Sequence, residues 1–110
     1  MPWFAIRNVY LFGKKADGTN TFEERVVCFE ADTSDDAHAK AAIEADKYAA
    51  DSGFVVHRHQ VGYELDDDSL IDGHEVWSIL FESNESLEQF YENRYMKYEY
   101  TPDPDDCPEQ

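Results

Sequence analysis

The sequence predicts an α+β fold of two layers, in which one four-stranded antiparallel sheet carries two helices in the order β-β-α-β-β-α. Runs of β-branched and aromatic residues alternate with turn residues over residues 2–31, and again over residues 54–82. Each of these paired runs is followed by a segment with helical periodicity that begins at capping residues. The 110 residues suffice for one core, so we expect one domain over residues 1–100 and a disordered acidic tail over residues 101–110.

The first predicted element is a central strand over residues 2–12. Its two faces both carry apolar side chains, which is typical of a strand with neighbours on each side. Residues 13–20 contain two glycines, an Asp-Gly pair and an asparagine, which favour a turn. Residues 21–31 then return as a second strand, and the two strands are expected to form an antiparallel hairpin.

The first helix is predicted to start after Thr33 or Ser34, either of which can cap it. Asp35 and Asp36 follow and favour the positive end of the helix dipole. Gly53 is expected to end the helix in the left-handed conformation. A helical stripe of apolar residues, most of them alanines, predicts close packing on the sheet, and it consists of Ala37, Ala41, Ala45, Tyr48 and Ala49.

The second half of the chain repeats the pattern. Residues 54–65 alternate as a third strand, an acidic connection spans residues 66–73, and residues 74–82 are the predicted fourth strand. Ser83 or Asn84 is expected to cap the second helix. The stripe of that helix comprises Leu87, Phe90, Tyr91, Arg94, Tyr95 and Tyr98. Its first part is expected to pack in the core, and its tyrosine-rich remainder to be partly exposed.

The charge of the chain is strongly negative, at −16. Such a charge repels a nucleic-acid backbone or an anionic membrane and attracts a basic protein. The alternative is that acidity serves solubility alone. No apolar run approaches the ~20 residues that a membrane span needs. Cys28 and Cys107 lie far apart in the sequence, which indicates a reduced protein and a cytoplasmic location.

Candidate metal ligands are few. His57 and His59 share one face of the predicted third strand, and His74 or an aspartate of residues 66–72 could add a ligand. Zinc sites need three or four convergent ligands, so we expect no metal. The spacing of the acidic residues also departs from that of a calcium loop. Because the sequence contains no phosphate-binding loop and no recognisable nucleophile, we expect neither a cofactor nor enzyme activity.

Acidic and tyrosine side chains occur together in the second half of the chain, which predicts a surface for a basic protein partner. The candidate contact residues are Tyr63, Glu64, Asp66, Asp67, Asp68, Asp72, Tyr91, Tyr95 and Tyr98. The alternative is a tyrosine packing seam with a solvated acidic rim. Apolar residues on both faces of the first strand additionally suggest a homodimer that covers the open face of the sheet.

Several short motifs resemble a small bacterial family known as domain of unknown function 4288. They are residues 3–7 (WFAIR), 22–27 (FEERVV), 29–31 (FEA), 36–37 (DA) with Ala41, and 72–78 (DGHEVWS). The resemblance spans most of residues 2–83 and implies a bacterial cytosolic protein with no established reaction and no catalytic residues to transfer. Small α+β families of this kind often include immunity proteins encoded beside toxins.

Three hypotheses for function follow. The first is an immunity-type inhibitor that blocks a basic toxin or nuclease, and the second is an acidic mimic of nucleic acid that competes for a DNA-binding protein. The third is a small metal-dependent enzyme that uses His57, His59 and His74.

Overall fold

A computed structural model of the protein describes residues 1–65, 72–73 and 75–102. The chain divides into two compact units, Met1–Ser78 and Ile79–Gln110. The predicted class is confirmed, since the described residues form a four-stranded antiparallel sheet and two helices. The assignment of residues 1–100 to one domain stays a prediction, and residues 103–110 of the predicted tail lie outside the described residues.

The sheet is built around its first strand, as the sequence predicted. β1 spans Trp3–Lys14, and β2, Asn20–Glu30, pairs with it along one edge. β3, Val55–Val56, and β4, Val61–Glu64, pair with β1 one after the other along its second edge. All three pairings are antiparallel. The apolar side chains on both faces of β1 therefore belong to a strand with neighbours on both edges.

The predicted third strand is interrupted at its centre. Tyr10 pairs with Val56 and Arg7 pairs with Val61, so the four residues 57–60 lie opposite only two residues of β1. This bulge adds two residues to the outer strand. Because the insertion is an even number of residues, the alternation of side chains between the two faces is preserved, and the sequence pattern looks continuous.

The predicted fourth strand over residues 74–82 is wrong. Residues 75–83, all of which are described, form no strand, and β4 within residues 54–65 is the fourth strand of the sheet instead. Strand propensity alone does not place a segment in a sheet, because it describes how side chains fit a pleated surface and not which strand the segment pairs with. The second edge of β1 is already occupied by β3 and β4.

The first helix, α1, spans Ser34–Ser52 and begins and ends as predicted. The Thr33 hydroxyl accepts a hydrogen bond from the backbone N–H of Asp36 at 3.1 Å. Gly53 ends the helix with a φ of 77°, a conformation that glycine adopts at little cost. The buried residues of the helix are Ala37, Ala41, Ala45 and Ala49. Their short side chains allow α1 to lie close to the sheet.

The core between α1 and the sheet consists of two apolar clusters. One contains Phe4, Ile6, Ala31, Ala37 and Ala41, and the other contains Tyr10, Ala45 and Ala49. Tyr48, Phe54 and Val56 pack against the second cluster. α1 therefore covers the face of the sheet on which Phe4, Ile6 and Tyr10 lie.

An ion pair fastens α1 to β2. Arg25 donates two hydrogen bonds to the carboxylate of Glu44, at 2.9 and 2.7 Å. Its guanidinium carbon also lies 3.7 Å from the centroid of the Tyr48 ring, and the Tyr48 hydroxyl donates to Glu23. The hydrogen bonds to Glu44 raise the pKa of Arg25, so the guanidinium stays protonated.

Gly62 of β4 faces α1, and its nearest neighbour on that helix is His38. A Cβ atom at Gly62 would lie 2.8 Å from Nε2 of His38 and 3.0 Å from Cδ1 of Ile6. The His38 ring is held in place, since its Nδ1 lies 2.8 Å from the side-chain amide of Gln60, within the bulge. That amide is also 3.3 Å from Oδ1 of Asn8, which is buried on β1. The bulge thus supplies a polar partner to His38 and to Asn8 between α1 and the sheet.

Candidate protein-binding surface

The second unit carries the second helix, α2, which spans Leu87–Tyr91 and continues into a π-helical turn, Glu92–Met96. The prediction that Ser83 or Asn84 caps this helix is wrong. The Ser86 hydroxyl caps α2 by accepting the N–H of Gln89 at 3.2 Å. Ser83 instead accepts the N–H of Glu85 at 3.0 Å in the preceding turn. A local turn of this kind competes with helix formation.

The apolar side chains of this unit are largely exposed to solvent. The prediction that Leu87 and Tyr91 pack in the core is wrong, since their exposed fractions are 83% and 54%. No residue of α2 or of the π-helical turn is buried. Within residues 79–102, eight large side chains are exposed, namely Leu80, Phe81, Leu87, Tyr91, Tyr95, Met96, Tyr98 and Tyr100. We refer to these eight residues as the aromatic surface.

Ring contacts order part of the aromatic surface. Half-buried Phe90 lies between Phe81 and Tyr95, with centroid distances of 5.5 and 6.3 Å. The rings of Tyr91 and Tyr95 are 5.2 Å apart. Aromatic pairs at such distances stabilise one another beyond the burial of their area. Tyr91 and Tyr95, two of the predicted contact residues, are thereby brought together.

The cations of this unit lie against its rings. The guanidinium carbon of Arg94 is 5.4 Å from the Phe81 centroid and 5.1 Å from the Tyr95 centroid, and Nζ of Lys97 is 5.6 Å from that of Tyr98. Five carboxylates of the same stretch are exposed, those of Glu82, Glu85, Glu88, Glu92 and Glu99. Five acidic and two basic side chains leave the described residues 79–102 with a negative charge.

Glu85 has a defined position among these acids. Its carboxylate accepts hydrogen bonds from the Ser83 hydroxyl, at 2.8 Å, and from the Asn93 amide. These bonds lower the pKa of Glu85, with that from Ser83 the larger cause. One carboxylate at the edge of the aromatic surface is therefore oriented before any partner binds.

The remaining predicted contact residues lie in the first unit or outside the described residues. Tyr63 is half-buried in β4, where its hydroxyl donates to Glu75 and its ring lies 6.3 Å from the Trp77 ring. Glu64 and Asp72 are exposed. Asp66, Asp67 and Asp68 lie outside the described residues, so their part in binding stays a prediction.

The predicted contact residues lacked five members of the aromatic surface: Leu80, Phe81, Leu87, Met96 and Tyr100. The alternation of residues 74–82 assigned Leu80 and Phe81 to a strand, and the helical stripe assigned Leu87 to the core. Both patterns show that side chains share a face, but neither shows whether another element covers that face.

The histidines predicted as weak metal candidates lie in the bulge. His57 and His59 are both exposed, and Nδ1 of His57 accepts the backbone N–H of His59 at 3.1 Å. Within the described part of the chain, no group of three or more His, Cys, Asp or Glu side chains could hold a metal ion. His74 lies outside that part.

Cys28 is half-buried on β2, and burial raises the pKa of its thiol, which disfavours the reactive thiolate.

Among residues 1–65, 72–73 and 75–102, no helix combines the length and apolar character that crossing a membrane requires.

Comparison with models of protein families, with curated proteins and with solved structures found no match to this chain. The resemblance to domain of unknown function 4288 therefore stays a prediction. Function is inferred below from the chemistry of the surface itself.

Proposed function

We propose that this protein is a non-enzymatic binding protein, an immunity-type inhibitor that neutralises a basic toxin or nuclease through its aromatic surface. The observation that carries the proposal is the exposure of eight large apolar and aromatic side chains within residues 79–102, bordered by five carboxylates.

Exposed aromatic residues at this density favour a binding role. Apolar area in water is unfavourable, and a soluble protein rarely keeps it in one contiguous region unless a partner covers it. Tyrosine is also enriched in protein interfaces, because it offers a large rigid contact area and a hydroxyl at low entropic cost. Tyr98, with an exposed fraction of 78%, is the most exposed of the four tyrosines.

Charge favours a basic partner. The chain carries −16 overall, and both cations near the aromatic surface lie against rings. A positively charged protein would approach such a surface faster than a neutral one, because the field steers the encounter. An acidic partner would be repelled.

The class of partner follows from the same charge argument. A nuclease must neutralise the phosphates of its substrate with Lys and Arg, so its active-site cleft is basic. A protein that occupies this cleft needs carboxylates where the phosphates would lie, together with an apolar contact that supplies affinity. The aromatic surface with its surrounding glutamates combines both features.

The test is affinity capture from the source cell at low and at moderate salt, followed by inhibition of the captured protein. The full chain should retain a basic partner, lose it as salt rises, and abolish its toxic or nuclease activity at an equimolar ratio. The double variant Tyr91→Ala/Tyr95→Ala should weaken binding by about 30- to 1,000-fold, since each of the two anchor residues contributes about 1–2 kcal/mol.

The matched control is Ile43→Ala, which removes an exposed apolar side chain from α1, far along the sequence from the aromatic surface. This variant should bind as the wild type does. The proposal fails if no basic partner is retained, if binding is indifferent to salt, or if the tyrosine variant binds as well as the Ile43 control.

A further inference from the structure

The face of the sheet opposite α1 is covered at one end and exposed at the other. Ala5 and Leu65 are buried at the covered end. At the other end, Leu11 pairs with both Phe22 and Val55, so these three side chains lie side by side across the sheet. Their exposed fractions are 37%, 64% and 65%. We define the open patch as Val9, Leu11, Phe22, Val26, Val55 and Val61.

One ion pair lies inside the open patch. Arg7 pairs in register with Val26 and Val61, and Glu24 pairs with Val9, so both charged residues share the face of the patch. Nη1 of Arg7 lies 3.6 Å from Oε2 of Glu24, which is longer than a hydrogen bond. Nε of Arg7 is buried and has no hydrogen-bond acceptor among the described residues. A buried donor without an acceptor is unfavourable, so the hydrogen-bonding capacity of Arg7 is incompletely satisfied within one copy.

These charges select the occupant. The patch carries one cation and one anion on a chain whose net charge is −16, so it is a neutral region of an otherwise acidic molecule. A strongly basic protein would meet Arg7 there, and a strongly acidic one would be repelled by the rest of the chain. A second copy presents the same two charges in reverse order across a two-fold axis, which makes the patch complementary to itself.

We propose that the protein forms a two-fold symmetric homodimer through the open patch. Arg7 of each copy faces Glu24 of the other, and Leu11, Phe22 and the valines are buried around these pairs. None of the residues of this contact belongs to the aromatic surface.

The homodimer contact and inhibitor binding should respond in opposite ways to salt concentration. Two chains of −16 repel each other over most of their surfaces, and salt screens that repulsion while leaving apolar burial intact. The homodimer should therefore strengthen as salt rises from low to moderate concentration. Binding of a basic partner should weaken over the same range, so one proposal can fail without the other.

Sedimentation equilibrium of the full chain tests the dimer. The wild type should dimerise with a dissociation constant in the micromolar range, and Phe22→Glu should weaken dimerisation at least about tenfold. Ile43→Glu is the matched control, because it adds the same charge at an exposed position of α1, the element on the opposite face of the sheet. That control should dimerise as the wild type does, and circular dichroism should show that both variants are folded.

A charge exchange gives a second readout that does not depend on Phe22. Arg7→Glu places two acids in each patch, and Glu24→Arg places two bases there, so each variant alone should be monomeric. Mixed together, they should form a one-to-one heterodimer, since every cross-axis contact again joins opposite charges. A wild-type chain that stays monomeric at every concentration and salt would overturn the proposal. So would a Phe22→Glu variant that dimerises as the Ile43→Glu control does, or charge-exchanged variants that do not associate.

Discussion

Gly62 offers a direct test of how α1 is seated on the sheet. Alanine at this position would place its Cβ 2.8 Å from Nε2 of His38, a separation that real Cβ contacts do not show. His38 cannot easily move aside, because its Nδ1 is held by Gln60. The substitution Gly62→Ala must therefore displace α1, rotate His38 out of its hydrogen bond, or distort β4.

The expected loss of stability in Gly62→Ala is the difference between two opposing effects. Overpacking a core by one methyl group costs about 1–3 kcal/mol. Alanine also restricts the unfolded chain, which returns about 0.5–1 kcal/mol. From the middle of both ranges, the free energy of unfolding should fall by about 1 kcal/mol, and the melting temperature by about 4–8 °C for each kcal/mol lost.

Urea unfolding followed by tryptophan fluorescence would measure this loss, since Trp3 and Trp77 both belong to the unit that contains Gly62. Gly13→Ala is the control, because a Cβ there has nothing within 4 Å, and it should change stability by less than about 0.5 kcal/mol. In a His38→Ala background, Gly62→Ala should cost less, because only the contact with Cδ1 of Ile6 remains. If it costs as much in that background as in the wild type, or nothing in either, the proposed packing is refuted.

Three further predictions concern the fastening of the helices. A double-mutant cycle of Arg25→Met and Glu44→Gln should give a coupling energy of about 1–2 kcal/mol in urea unfolding, because the bridge is bidentate and half-buried; a value near zero would contradict this. Thr33→Ala should cost about 1 kcal/mol by the same assay, and Thr33→Ser almost nothing, because only the hydroxyl is needed for the cap. Hydrogen bonds lower the pKa of Glu85 in the folded turn. The stability that this carboxylate contributes to the turn is therefore fully present above the pKa of a free glutamate, and it is lost as pH falls through the lowered pKa. The NMR-detected titration of Glu85 should accordingly move to higher pH in Asn93→Ala, and an unchanged titration would count against the contact.

The predictions that held depend on interactions between residues close together in the sequence. One segment of the chain contains the cap at Thr33, the alanine stripe of α1 and the glycine after it. The turn that joins β1 to β2 is likewise formed by neighbouring residues. The central place of β1 was also predictable, since a strand with apolar side chains on both faces is buried from both sides. For the candidate surface, the sequence identified Tyr91, Tyr95 and Tyr98 but could not show that Leu80, Phe81, Leu87 and Met96 are exposed beside them.

By itself, the sequence determined the α+β class, the first hairpin, the limits of α1 and the acidity of the surface, because each follows from local pattern or composition. Only the tertiary structure decided which segment completes the sheet. The bulge at residues 57–60 contains two more residues than the part of β1 opposite to it, and residues 61–64 form the fourth strand, whereas residues 75–82 form none. Strand propensity depends on context, so the register and packing of the whole sheet decide which segment joins it. The exposure of α2 was decided in the same way, since an apolar stripe becomes core only where another element covers it.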